Sequence, residues 1–229
     1  MADRPYVTLE PTSGGKHPAG TEVDVTVHTV TLDSTQAEYE LEYQAGSLLQ
    51  GAFGSLDFTL DSPPVTKTLL LGTCSAGGKC DYNQDVVGGT LLLRLSGGRE
   101  KFAVKGEWSY QQMGEREGEF SSRDSKFRLS MADTALPAAA YVIIMQTMGL
   151  PEVVEGEILA GPYHVAASVT PKIQDYKLEI RLSEDAEDAT LLSWTGSRWQ
   201  EQDSQVAEKV LTAPVEDLTT YVVVSAPVN

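Results

Sequence analysis

Cys74 and Cys80 are the only two cysteines of the 229-residue chain, and Ser75-Ala76-Gly77-Gly78-Lys79 lies between them. The two glycines let such a loop fold back, bringing the Cα atoms within the span of about 4.4–6.8 Å that a disulfide requires. The spacing therefore predicts a disulfide clipping a hairpin, with two free buried thiols as the alternative. Two thiolates without Cys-x-x-Cys spacing and without a histidine beside them in sequence lack the ligand count of a structural zinc site. A disulfide would place the chain in an oxidising compartment, outside the cell or at its surface.

Other groups suggest chemistry less completely. Asp81, Asn83 and Asp85 offer oxygen ligands at alternate positions, as at the start of a calcium loop. Val86 stands where that loop needs glycine and Leu92 where it needs a bidentate glutamate, so the stretch is expected to be a polar turn, and no cofactor is expected beyond this partial calcium signature. The acidic cluster Glu184-Asp185-Ala186-Glu187-Asp188 is expected to be a solvated loop. His17, His28 and His164 are scattered, and no nucleophile elbow, His-Glu-x-x-His or phosphate-binding glycine loop occurs. No catalytic residue is assigned, and the expectation is a protein that is not an enzyme. Trp108, Tyr110, Trp194 and Trp199 are candidate ligand-binding aromatics, because an exposed row of rings can stack on sugar faces. Each would also serve a core, where an aromatic buries about 150–250 Å². Trp194 and Trp199 flank a turn and are expected to be near cross-strand neighbours.

The elements that must position these residues are strands. In Glu22-Val23-Asp24-Val25-Thr26-Val27-His28 the valines share one face and the polar groups the other. Tyr39, Leu41 and Tyr43 alternate with glutamates in the same way, and the rhythm continues through Leu56, Phe58 and Leu60, Leu91, Leu93 and Leu95, and Phe102, Val104 and Trp108. Gly106 marks a bulge or a close contact. Tyr141-Val142-Ile143-Ile144-Met145 is an uninterrupted apolar run, the pattern of a strand covered on both faces. Tyr176, Leu178, Ile180 and Leu182 alternate again, and Tyr221-Val222-Val223-Val224 reads as the last strand. The best helical stretch, Glu201 to Leu211, fits a loop and strand as well. Turn formers punctuate the runs, among them Pro63-Pro64, Gly77-Gly78, Gly88-Gly89 and Gly97-Gly98. The predicted fold is all-β: two tandem antiparallel β-sandwich domains, 1–132 and 133–229, with the linker at Ser130 to Pro137.

Seventeen basic against 33 acidic residues leave a net charge of −16. Residues 1–132 hold 12 and 18 of these (−6) and residues 133–229 hold 5 and 15 (−10), a shift that supports the boundary. Such a surface repels phosphates and anionic headgroups, which excludes nucleic acid as a main partner. Ala135 to Met145, the longest apolar stretch, is about half the length that spans a bilayer, so membrane insertion is not expected. The opening residues Met1 to Pro5 lead into strand-like alternation instead of the apolar core of a signal peptide.

The stretch from Asp188 to Val224 contains Leu191-Leu192-Ser193-Trp194-Thr195-Gly196-Ser197-Arg198-Trp199, then Leu211-Thr212-Ala213-Pro214-Val215, then Asp217-Leu218-Thr219-Thr220-Tyr221. It resembles the closing β-sandwich (immunoglobulin-like) module of large bacterial surface and secreted proteins, in which a tryptophan hairpin turns on a glycine before a final strand. The likeness implies an extracellular multi-domain parent. Some such sandwiches cleave themselves at a His-(Phe/Leu)-(Ser/Thr) step; here Glu216 or Asp217 stands at the histidine position, so the base for that chemistry is missing. The expected function is a non-catalytic structural, adhesion or assembly module that meets a protein partner or itself along its sheet edges. The alternative is a carbohydrate-binding module.

Overall fold

A computed structural model describes residues 4–12, 15–172 and 174–225. The alternation becomes nineteen strands. The first seven are β1 (Val7–Pro11), β2 (Glu22–Val27), β3 (Gln36–Ala45), β4 (Leu48–Asp57), β5 (Val65–Leu70), β6 (Gly72–Cys74) and β7 (Cys80–Tyr82). Then come β8 (Val86–Ser96), β9 (Phe102–Gln112), the single helical turn α1 (Met113–Arg116), β10 (Glu119–Ser121), β11 (Phe127–Met131), β12 (Tyr141–Gln146) and β13 (Ile158–Ala167). The chain ends with β14 (Tyr176–Arg181), β15 (Thr190–Trp194), β16 (Trp199–Gln202), β17 (Gln205–Ala207), β18 (Val210–Val215) and β19 (Thr220–Val224). The fold is all-β, as predicted, and the stretch weighed as a helix, Glu201 to Leu211, is divided among β16, β17 and β18.

One sheet organises the rest. Nine strands lie in the order β16-β15-β19-β13-β12-β9-β8-β3-β4, beside a three-stranded sheet β1-β2-β5, a five-stranded sheet β10-β11-β14-β18-β17 and the ribbon β6-β7. The two smaller sheets cover opposite faces of the large one. On β12, Ile143 and Met145 join Val7, Leu9, Val25 and Leu69 in one core, whereas Val142 and Ile144 join Leu129, Leu178 and Ala213 in the other. Successive side chains of a strand point to opposite faces, so the two cores lie on either side of β12. That is why its sequence is apolar at every position from 142 to 145, as expected of a doubly covered strand. β19 behaves alike: Tyr221 and Val223 face the five-stranded sheet, and Val222 and Val224 meet Leu150, Ile158, Leu192 and Trp199 on the other side.

The boundary expected at 132/133 does not fall between these cores. β9 and β12 are adjacent antiparallel partners across it. β11, which precedes it, pairs with β14, and Phe120, Phe127, Leu129 and Met131 pack into the second core. The small, polar, proline-containing stretch there is a turn between β11 and β12, and composition reports a turn equally well inside a shared structure. Gly106 is a close-contact point: a Cβ on it would sit 2.4 Å from the Gln146 carbonyl oxygen of neighbouring β12. The expected inward row Leu56, Phe58, Leu60 stops early, since β4 ends at Asp57 and Leu60 is 80% exposed in the following turn.

Sharing one sheet, the two cores are expected to unfold as a single cooperative unit. In a chain carrying Trp194→Phe and Trp199→Phe, where Trp108 in the first core is the sole tryptophan, Ile144→Ala in the second should cost about 2–5 kcal/mol. Its urea midpoint should coincide in Trp108 fluorescence and far-UV circular dichroism; separate midpoints would mean that the cores unfold independently.

Candidate functional site

The four aromatics singled out in the sequence divide. Trp108 is fully buried, its ring 6.4 Å from that of Tyr43 and edge-on to Tyr110 at 6.2 Å. Tyr110 is also buried and stacks on Tyr141 at 4.7 Å, and burial pushes its hydroxyl far above the usual tyrosine range. Both rings lie beneath the three-stranded sheet, so they are core residues and not a sugar-stacking surface. Trp194 and Trp199 are direct cross-strand partners on β15 and β16, half-buried, with rings 5.4 Å apart and 65° between their planes. The Trp199 indole donates to the Glu152 carbonyl at 2.9 Å, which ties the hairpin to the loop before β13.

Cys74 and Cys80 face each other across the β6-β7 ribbon and are joined by a disulfide, as their spacing predicted. In the polar stretch after them, Asp81 lies on β7, and Asn83 to Asp85 connect that strand to β8. Asn83 donates its side-chain amide to the Tyr43 hydroxyl at 2.8 Å, and Asp85 adopts a left-handed conformation (φ 53°) with its carbonyl accepting from the Gly46 amide.

Two of the scattered histidines meet. Tyr6, just before β1, stacks on His28 at 4.7 Å and sets its hydroxyl 2.7 Å from Thr220 Oγ1. His164 on β13 places Nδ1 2.9 Å from the same Thr220 oxygen and Nε2 3.4 Å from the carboxylate of Glu10 on β1. His28 Nε2 lies 2.8 Å from the Thr8 hydroxyl. A hydroxyl, an imidazole and a carboxylate in this order mimic an activated nucleophile. Thr220, however, is wholly buried, and its hydroxyl links Tyr6, His164 on β13 and its own strand β19. The His164 imidazole 3.4 Å away holds the Glu10 carboxyl below its usual range, burial lowers the pKa of His28, and burial pushes Tyr6 up to about 12.

The electrostatic consequence has a definite sign. Glu10 and His28 both have folded pKa values below their ordinary ones, 4.5 and 6.5, so each contributes stability at neutral pH that is lost as pH falls. The melting temperature is expected to drop between pH 7 and pH 5 as His28 takes its proton, and again below about pH 4.5 as Glu10 does. His28→Gln should flatten the first fall and leave the second; a variant with an unchanged profile between pH 7 and 5 would remove His28 from this account.

The surface feature that sets this chain apart is β4, the last strand of the nine-stranded sheet. Among the described residues, the face away from the three-stranded sheet carries no second layer here: the row Phe53, Glu40, Leu92, Lys105 crosses four strands and none of its members is buried. Phe53 is 86% exposed and Leu49 68%. β4 pairs with β3 over ten consecutive residues without a bulge, and no charged side chain occurs from Leu48 to Leu56. On its inner face Tyr39 lies across Gly54, where a Cβ would sit 2.3 Å from the tyrosine oxygen. Other edge strands carry the usual protections of shortness, charge or proline. β16 has four residues including Glu201, β10 and β17 have three each, β5 contains Lys67, and β1 contains Glu10 and Pro11. Residues 48–55 give little periodic signal, because Leu49 and Phe53 point outward while Ala52 and Gly54 stand at inner positions. The available signal was an uncharged run in a strongly acidic chain.

Among the described residues no helix is long and apolar enough to cross a membrane. Comparison of the chain with protein-family models, with curated proteins and with solved structures finds no match in any of the three.

Proposed function

We propose that the chain is a non-catalytic structural module of an extracellular, bacterial-type surface protein, and that it assembles with a second copy of itself through the free edge of β4. The observation that carries this reading is a ten-residue, unbulged edge strand, uncharged from Leu48 to Leu56 and bearing the outward Phe53 and Leu49. Such an edge offers a row of unpaired backbone donors and acceptors to another strand. Charge selects the occupant. Two copies each bearing −16 repel over most of their surfaces, and β4 lets them approach without bringing carboxylates face to face. Its pattern is also self-complementary. Antiparallel pairing about a twofold axis at Gly51 sets Leu49 of each copy opposite Phe53 of the other, an aromatic-aliphatic pair worth about 0.2–1 kcal/mol beyond the backbone bonds. The disulfide and the likeness of residues 188–224 to surface-protein modules support the extracellular setting. Carbohydrate binding would fall to Trp194 and Trp199 alone, and rings at 65° to each other make no flat platform for a sugar.

Sedimentation velocity tests the assembly. The chain is expected to form a concentration-dependent dimer that strengthens with added salt, because screening relieves the repulsion between acidic copies. Phe53→Glu should weaken the dimer roughly tenfold or more while leaving the far-UV circular dichroism unchanged, since like charges near a pairing edge oppose it. A wild-type chain that stays monomeric at all concentrations and salt levels overturns the proposal.

A further inference from the structure

The β6-β7 ribbon holds a chemistry that its sequence spacing hides, independent of the assembly edge. One donor atom from each of His17, Cys74 and Cys80 lies within 4.8 Å of the others, the group of three ligand-type side chains so gathered among the described residues. The histidine missing beside the cysteines in sequence therefore stands beside them in space. It is not a loose surface group: its side chain is 13% exposed, its ring packs edge-on to Tyr82, and Nδ1 lies 3.1 Å from the Tyr82 hydroxyl. Nε2 is 3.8 Å from the carboxylate of Glu22, itself 11% exposed. Polar groups beside both imidazole nitrogens restrain the ring, and with Nδ1 as the ligand the Glu22 carboxylate would stand beside Nε2, the kind of partner that orients metal-binding histidines. Cys74 is exposed and Cys80 half-buried, so small thiols and ions reach both.

We propose that in the reduced chain Cys74, Cys80 and His17 bind one Zn²⁺, with water as fourth ligand, and that disulfide formation expels the ion. Two thiolates and an imidazole form a donor set for zinc and not for calcium or magnesium. Zn–S bonds of about 2.3 Å and a Zn–N bond of about 2.0–2.1 Å place tetrahedral donors roughly 3.5–3.8 Å apart. Atoms already within 4.8 Å thus need shifts on the order of 1 Å once the disulfide is open. The electrons balance through thiol–disulfide exchange. Two molecules of a low-molecular-weight thiol reduce the protein disulfide, becoming one small disulfide and leaving two cysteine thiols, and Zn²⁺ then displaces the two thiol protons. In the reverse direction the two cysteine thiolates reduce a small disulfide to two thiolates, the protein S–S bond forms, and Zn²⁺ leaves with no donors but His17.

The test uses the full chain, oxidised or reduced with a trialkylphosphine, which becomes the phosphine oxide. Co²⁺ titration followed by thiolate-to-cobalt charge-transfer absorption should give one equivalent for the reduced chain and none for the oxidised one. Zn²⁺ affinity, measured by competition with a chromophoric chelator, should fall at least tenfold in His17→Ala at unchanged thiol count and circular dichroism. His17→Cys, which restores a third donor, should recover tight binding. Failure of the reduced chain to bind, binding by the oxidised chain, or equal affinity in wild type and His17→Ala would each overturn the site.

Discussion

Burial of β12 on both faces is the constraint from which the architecture follows. A strand whose side chains alternate between two apolar environments must have a sheet on either side, and Ile143 and Met145 on one face with Val142 and Ile144 on the other meet that demand. Fully burying side chains of this size contributes about 1.5–3 kcal/mol each, so the strand is anchored from both directions. Covering the faces with two different small sheets offsets the layers laterally, and towards β4 the large sheet is then covered on one face only. The exposed face is thus a consequence of how the core is built.

The same offset explains where polar groups are buried. Between the edge of the three-stranded sheet and β13 and β19, Tyr6, Thr220 and His164 are joined by hydrogen bonds, and Glu10 faces the His164 ring. The bond between Tyr6 and Thr220 joins residues 214 positions apart, so the start of the described chain is tied to its last strand. Buried polar groups that find partners hold elements in a definite relation, whereas unpaired ones cost stability. The Trp108 indole nitrogen and the Tyr110 hydroxyl lack such partners, and their rings are held by packing alone.

Edges and ribbon follow from what surrounds them. β16 ends the large sheet as a short strand with a charge, whereas β4 ends it as a long strand uncharged from Leu48 to Leu56. The β6-β7 ribbon stands outside both cores, and its disulfide and the contact of its Tyr82 with His17 hold it in place of apolar burial.

Alternation made the all-β class legible from residues such as Val23, Val25 and Val27, and the unbroken run from Tyr141 to Met145 announced double coverage before any coordinates. Cysteine spacing likewise announced the disulfide, because loop closure over five residues is a local matter. The sequence by itself thus determined what each strand demands of its two faces. Only the tertiary structure decided what meets them: that Trp108 is covered while Phe53 is not, that residues 113–131 belong to the second core, and that His17 stands by Cys74 while His28 and His164 share Tyr6. The physical reason is that a period of two assigns each side chain to a face, whereas the covering layer and the neighbouring strand come from pairings between residues distant in the chain, which no local pattern encodes.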